Sequence, residues 1–286
     1  MKLSIAIADT HALPSAFVVF RGFDECIPKA AKLGFNGVEL ALKRASEINR
    51  EHLAKLLAKY NLVVSSISTG QVYADGALML THENDQQREE VKTIFKEFID
   101  LAEDFGKIVN IGRVRGKIGK RAKAHVENLF VSLARELCTY ALPKGVSIVL
   151  EPVNRYETDF INSVEEGVAL LRKVDMPNLK LMPDLFHMNI EDRSIGLELV
   201  RHIQFIKYIH FADSNRLAPG QGHIDFDEVF NQLLKAGYDG WISAEILPYP
   251  NPDTAAKQTA DFLIPFIREY NARLAKNTAM LRRGSK

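Results

Sequence analysis

Short aliphatic and β-branched runs alternate along the chain with longer segments in which apolar residues recur every three or four positions. Eight runs predict strands, at 3–8, 37–42, 63–69, 108–114, 147–153, 179–185, 206–213 and 241–246. Most are continuously apolar rather than alternating, which is the pattern of parallel strands covered on both faces. The segments between them predict amphipathic helices. Over 85–105, Val91, Ile94, Phe95, Phe98, Ile99 and Ala102 share a face; over 121–140, Val126, Leu129, Leu133, Leu137 and Tyr140 do. Gly34, Gly106, Gly145 and Gly237 each stand just before a strand, where a left-handed residue ends a helix. Ser163 and Asp225 precede helical runs as N-caps.

Alternation of this kind forces right-handed crossovers and parallel pairing. A doubly wound open sheet usually has a glycine-rich turn after its first strand. Here that strand ends in Ala-Asp-Thr-His, without glycine. The pattern therefore predicts an α/β chain forming a single (β/α)8 barrel over residues 1–286, with a frayed basic tail at about 275–286.

Composition narrows the function. Lys+Arg 37 against Asp+Glu 36 gives a net charge of +1, which lacks the electrostatic footprint of a nucleic-acid binder. No run approaches the ~20 apolar residues of a membrane span. The first residues turn polar at Asp9 and His11, which suits a first strand rather than a signal peptide. Cys26 and Cys138 make no disulfide framework, so a cytoplasmic location is expected. Both thiols fall in helical segments as ordinary packing residues.

Active sites of such barrels lie at the C-terminal strand ends. Those ends carry Glu151 on the fifth strand, Asp184 on the sixth, His210 on the seventh and Glu245 on the eighth. Any one of them is explained as a cap or an ion-pair partner. Together they interrupt four apolar strands at equivalent positions, as in VLEPV and SAEIL, where a bare strand has no need of glutamate. Three carboxylates and one imidazole suit one divalent ion per chain, Mn²⁺, Mg²⁺ or Co²⁺. The absence of thiolates argues against structural zinc. Pro152 holds Glu151 extended. Glu157, His187 and Arg216 fall in the loops that would roof this point, and His223 and Asp225 in GQGHIDF suit a helix cap. Glu151 and Glu245 have a chemical argument of their own. Loss of a proton beside a metal-polarised carbonyl is stabilised as an ene-diolate. Two bases then imply inversion at that carbon, whereas one base with carbonyl migration implies aldose–ketose isomerisation.

The motifs EPVNRYETDFIN, DLFHMNIED, HFADSNRLAPGQGHIDF and GWISAEILP, with STGQVYADGALMLTHEND after the third strand, are similar to a known group. The chain resembles the xylose-isomerase-like barrels, and within them the ketose 3-epimerases of the D-tagatose 3-epimerase group. The resemblance implies an ion, Mn²⁺ before Co²⁺ or Mg²⁺, held by Glu151, Asp184, His210 and Glu245. It implies that Glu151 and Glu245 are the acid–base pair and that Glu157, His187 and Arg216 hold substrate oxygens near C1 to C3. It also implies a homodimer or homotetramer acting on a keto-sugar of the tagatose, psicose or fructose type.

Some members of the group take a keto-sugar acid instead, such as 5-keto-L-gluconate giving D-tagaturonate. The pocket for the far end of the substrate would come from residues 8–11, 66–71 and 112–113. Arg113, Arg115, Lys117, Lys120, Arg121 and Lys123 in RVRGKIGKRAK offer cations for a carboxylate or phosphate, although a solvated loop accounts for them as well. A sugar isomerase is the nearer alternative activity. An endonuclease IV-type enzyme, echoed by Asp184-x-x-His187 and His223-x-Asp225, would need further histidines at the third and fourth strand ends. Those ends hold Ser68-Thr69-Gly70 and Ile111-Gly112-Arg113. A non-catalytic sugar sensor would have no use for two bases.

Overall fold

The eight apolar runs form eight parallel strands in a computed structural model that describes residues 1–13 and 16–284. They are β1 (Lys2–Ala8), β2 (Gly37–Ala41), β3 (Val63–Ser68), β4 (Ile108–Ile111), β5 (Ser147–Leu150), β6 (Leu179–Leu181), β7 (Tyr208–His210) and β8 (Trp241–Ala244). Their spatial order is β6-β5-β4-β3-β2-β1-β8-β7, and the ring closes between β6 and β7 through isolated bridges, Leu181 with Ile206 and Asp184 with His210. At that seam Lys207 N donates to Leu181 O at 3.0 Å and His210 N to Pro183 O at 2.9 Å. A two-residue strand, Phe20–Arg21, pairs with β1 outside the ring. The (β/α)8 barrel is thus present as expected.

The helices are α1 (Phe23–Leu33), α2 (Arg50–Tyr60), α3 (Gly70–Gly76), α4 (Asp85–Asp104), α5 (Lys123–Ala141), α6 (Val164–Val174), α7 (Leu185–Glu191), α8 (Ile195–His202), α9 (Phe226–Ala236) and α10 (Pro252–Gly284). Strict one-to-one alternation therefore fails twice. The short α3 and α7 are extra, and both lie in loops that leave the C-terminal ends of strands. Several ladders also stop before their apolar runs do. β4 ends at Ile111 and β7 at His210, yet Val114, Phe211 and Ala212 remain fully buried. These residues are buried in the large core cluster beyond the strand ends, Phe211 still donating its N–H to Ser243 O at 2.8 Å, and hydrophobicity alone does not mark where a strand stops.

Helix punctuation follows the sequence. Gly34 and Gly237 are left-handed C-caps, the Ser163 side chain accepts from Glu166 N, and the Asp225 side chain accepts from Glu228 N. The tail expected to fray continues α10 to Gly284, while residues 285 and 286 lie outside the described residues. Cys26 and Cys138 are buried free thiols.

Strand parity divides the core. Leu3, Ile5 and Ile7 of β1 belong to the large cluster shared with the helices, whereas Ala6 and Ala8 join Ala41 in a small cluster of their own. Ile108, Val149, Met182 and Tyr208 form a second small cluster. The same alternation sends Glu39, Asn110, Glu151 and His210 toward the barrel axis. Outside the barrel, α9 and α10 are joined by rings: Phe230 stacks on Phe266 at 5.0 Å and Phe226 meets Phe262 edge-on at 5.3 Å. Phe230→Ala is expected to cost about 3–5 kcal/mol by removing a buried ring from this seam. Urea unfolding followed by circular dichroism measures the loss.

Candidate metal centre

Four consecutive strands of the ring, β5 to β8, each deliver one ligand-type side chain to the mouth. Glu151 and Glu245 each follow the last residue of their strands, and His210 is the last residue of β7. The main chain of Asp184 is bridged to that of His210 across the closing seam. One ligand atom from each of these four residues lies within 4.8 Å of all the others. Among the described residues this is the one such group.

The details fit a cation. Asp184 divides its carboxylate between two tasks. Oδ1 accepts from Phe186 N at 2.9 Å and so caps α7, while Oδ2 is buried without a hydrogen-bond partner. His210 Nδ1 is likewise buried without a hydrogen-bond partner, 3.4 Å from Glu151 Oε1 and 3.5 Å from Glu245 Oε2. Buried polar atoms are seldom left unsatisfied, and a divalent ion among these would satisfy both. A Cβ at Gly112, the residue after β4, would stand 2.9 Å from Glu151 Oε2, so glycine there leaves room for that carboxylate.

Burial pushes the Glu245 carboxyl up to about 8, and the Asp184 carboxyl up to about 6, in both cases against the pull of His210 and Arg216. Burial also opposes the charge on His210, but Glu39 and Glu245, with Glu151, outweigh it and hold the imidazole well above its usual range. The cluster is therefore short of positive charge.

Behind the ring of His210 stands a residue that sequence reasoning missed. Both oxygens of Glu39, on β2, lie 3.1 Å from His210 Nε2. Glu39 Oε2 also accepts from the Tyr208 hydroxyl at 2.9 Å, and that hydroxyl is 2.9 Å from Ser4 Oγ and 2.7 Å from Ser65 Oγ. The signal was the one that exposed Glu151 and Glu245, a lone acid in the apolar strand GVELA. It sits in mid-strand rather than at the end, and so was passed over.

Glu157, His187 and Arg216 converge over the mouth. Arg216 Nη2 donates to Glu245 Oε2 at 2.5 Å and lies 3.6 Å from Asp184 Oδ2. Its Nη1 is 3.7 Å from Glu157 Oε1 and 3.3 Å from His187 Nε2. The guanidinium lies over Phe17 at 4.0 Å and Phe186 at 4.9 Å, a cation on two aromatic rings. Arg216 has φ near +60°, a left-handed conformation that costs a residue with a Cβ about 1–2 kcal/mol. The Asp213 carboxylate stabilises that turn by accepting from the backbone N–H groups of Ser214, Gly220 and Ile224. Gly222 permits this, because a Cβ there would stand 2.2 Å from Asp213 Oδ1. His187 Nδ1 is 2.7 Å from the Asn154 amide nitrogen, and burial with the nearby Arg216 holds the ring neutral.

The cavity beside the cluster is lined by Phe17, Ser68, Gln71, Asn110 and Arg113 together with Glu151, Glu157, His187, Arg216 and Glu245. The expectation that residues 8–11 build this wall needs correction. Residues 16–18 take that place, and Asp9 and Thr10 border a separate crevice with α1 and α2. Of the six cations in RVRGKIGKRAK, only Arg113 lines the cavity. Arg115 is wholly buried, donating to the carbonyls of Phe160, Gly112, Glu151 and Ile161. Arg121 donates to the Thr81 and Lys117 carbonyls, and the three lysines are exposed. His223 is exposed and bonded to Ser214 Oγ, apart from the cluster.

Comparison with known proteins identifies the family. The model of the xylose isomerase-like TIM barrel family matches residues 27–266. The L-ribulose 3-epimerase of Methylomonas sp. (strain DH-1) is 31% identical over 232 residues, 78% of each chain. The D-psicose 3-epimerase of Agrobacterium fabrum is 28% identical over 236 residues, again 78% of each. Among solved structures, a D-allulose 3-epimerase from Methylomonas sp. in complex with D-allulose superposes with a TM-score of 0.76 at 25% identity, covering 93% of this chain and 98% of that one. The chain belongs to the xylose isomerase-like TIM barrel family. The relatives it resembles over most of its length are epimerases, which are isomerases, as the sequence led one to expect. No helix among the described residues is long and apolar enough to cross a membrane.

Titration of chelator-treated protein with Mn²⁺ is expected to end at one ion per chain. At about a hundredfold excess over Kd, binding to the folded state alone adds about 2.7 kcal/mol, read as a rise of several degrees in Tm.

Proposed function

We propose that the protein is a metal-dependent keto-sugar epimerase that inverts the carbon next to the ketone. The observation that carries this reading is that Glu151 and Glu245, from the two ends of the β5–β8 arc, both belong to the four-residue cluster and both line the same cavity. A divalent cation bound by Glu151, Asp184, His210 and Glu245 supplies Lewis acidity that stabilises negative charge on the ketone oxygen and its neighbour. The set of three carboxylates and one imidazole supports Mn²⁺ as that cation.

The remaining chemistry belongs to the side chains. One glutamate, as carboxylate, removes the proton from C3, leaving that carbon planar in a cis-ene-diolate whose negative charge rests on the former ketone oxygen. The other, as carboxylic acid, returns a proton to the opposite face. The two have then exchanged protonation states, so the pair is set for the reverse reaction and no atom is gained or lost. Arg216 keeps Glu245 turned into the cavity, and Arg216, His187 and Glu157 hold the hydroxyls and ketone that fix which carbon faces the bases. Aldose–ketose isomerisation would move the carbonyl and use one base, leaving the second glutamate without a task beyond ligation.

One observation favours a keto-sugar acid as substrate. Arg113 lines the cavity with its guanidinium over Tyr73 at 5.4 Å, and its ion pair with Glu157 is loose, at 3.7 Å. A cation so held supports binding of a substrate carboxylate there.

Incubation in D₂O with ketoses, their phosphates, and 5-keto-gluconate with tagaturonate tests both readings by proton NMR of the sugars. Deuterium at C3 together with the epimer is expected; label on C1 or C2 with an aldose product would make the enzyme an isomerase. Glu245→Gln is expected to retain sugar binding and lose about 10²–10⁴-fold in kcat, and undiminished turnover would remove Glu245 from the acid–base pair. If the substrate is an acid, Arg113→Met raises its KM about ten- to a hundredfold and changes that of a neutral ketose by a much smaller factor.

A further inference from the structure

Glu39 is a fully buried carboxylate on the far wall of the barrel from β5 and β6, with no route to a substrate in the cavity. It does not line that cavity, and its oxygens meet the β7 side chains of Tyr208 and His210, with the Ser243 hydroxyl of β8 also beside the carboxylate. We infer that Glu39 is a positioning residue for the metal centre: it holds His210 by Nε2 and so makes Nδ1 the atom that ligates the cation. This inference rests on the reading of the four-residue cluster as a metal site.

The geometry argues the point in steps. A carboxylate only accepts hydrogen bonds, so the imidazole nitrogen 3.1 Å from both Glu39 oxygens carries its proton toward them. A ligating imidazole has one N–H, and with that proton on Nε2 the lone pair is on Nδ1. Nδ1 is the nitrogen that faces Glu151 and Glu245, and it is the one left buried without a hydrogen-bond partner. Full negative charge behind the ring makes its far nitrogen a better donor to a cation.

Glu39 is itself fixed. Tyr208 donates to Oε2, and Ser4 and Ser65 crowd the Tyr208 hydroxyl from β1 and β3, so that four strands converge on one carboxylate. A carboxylate needed only as a counter-charge for the imidazole would not require this orientation. The arrangement instead sets the angle of the ring.

The test uses Glu39→Gln, which keeps the size and one acceptor but removes the charge, and Tyr208→Phe, which keeps Glu39 and frees its oxygen. Mn²⁺ binding to the chelator-treated proteins is measured by calorimetry beside wild type. Glu39→Gln is expected to weaken Kd about ten- to a hundredfold, Tyr208→Phe by a smaller factor in the same direction, and added Mn²⁺ to restore part of the lost activity. Because bound metal also stabilises the folded state, circular dichroism and Tm of the metal-free variants, set beside metal-free wild type, separate a folding defect from weakened binding. Unchanged Kd in a folded Glu39→Gln protein overturns the inference while leaving the metal site standing; absence of Mn²⁺ binding by wild type overturns the metal site itself. Should Glu39→Gln not fold, nitrogen-15 NMR of zinc-loaded wild type decides. A proton on Nε2 of His210 with the metal on Nδ1 supports the inference, and the opposite assignment overturns it.

Discussion

Three carboxylates gathered around an imidazole in the buried mouth of a barrel repel one another, and burial weakens the screening that bulk solvent gives. Everything near the mouth answers to that constraint. Burial pushes the Glu245 and Asp184 carboxyls up, and the groups that pull them back are His210 and Arg216. Arg216 reaches its place only through a left-handed backbone turn that Asp213 stabilises and Gly222 makes room for. Strain of this kind persists where surrounding structure over-determines it, and here it brings a guanidinium to 2.5 Å from Glu245. The remaining charge deficit is what a divalent ion would supply, and Asp184 Oδ2 and His210 Nδ1 are the atoms kept free for it.

The barrel makes such crowding possible because it fixes the main chain before the side chains meet. β5 to β8 are neighbours around the ring, and the two bridges that close it include the pairing of Asp184 with His210. Two ligands therefore arrive through the closure of the fold itself. Arg115 does comparable work at β5. Its buried guanidinium gathers the carbonyls of Gly112, Glu151, Phe160 and Ile161, which joins the end of β5 to the loop that returns from Glu157. An arginine without a carboxylate partner is costly to bury, and burial lowers its pKa to about 10. The four carbonyls offset that cost and leave the acids of the mouth uncommitted to it.

Much of this was legible in the sequence, for physical reasons that differ from residue to residue. The strands showed because parallel strands are apolar on both faces, and the caps at Ser163 and Asp225 showed because their side chains complete a helix end locally. Glu151 and Glu245 showed because an acid within an apolar strand has no structural reason to be there. Glu39 has the same anomaly, but its partner lies 171 residues away, and only the closed ring brings β2 and β7 side chains together. Arg113 and Arg115 are indistinguishable as letters. The first points into the cavity and the second into the wall because the 3₁₀ turn Arg113–Arg115 sends side chains two residues apart in different directions. Phe17 was overlooked because, within the apolar stretch ALPSAFVVF, one more aromatic is unremarkable until a guanidinium lies over it.

The charged side chains of this mouth are linked to one another from end to end. Arg113 stands 3.7 Å from Glu157, Glu157 3.7 Å from Arg216, and Arg216 2.5 Å from Glu245, so charges of alternating sign run from the far end of the cavity to one of the two proposed bases. Phe17 lies under both guanidinium groups, at 5.9 Å from Arg113 and 4.0 Å from Arg216. A substrate group that engages Arg113 competes with Glu157 for it and changes what Glu157 offers Arg216. Residues coupled in this way do not contribute independent increments. On the proposed reading, substrate preference at Arg113 and proton transfer at Glu245 would be two ends of one electrostatic arrangement, tuned together by the spacing of its charges.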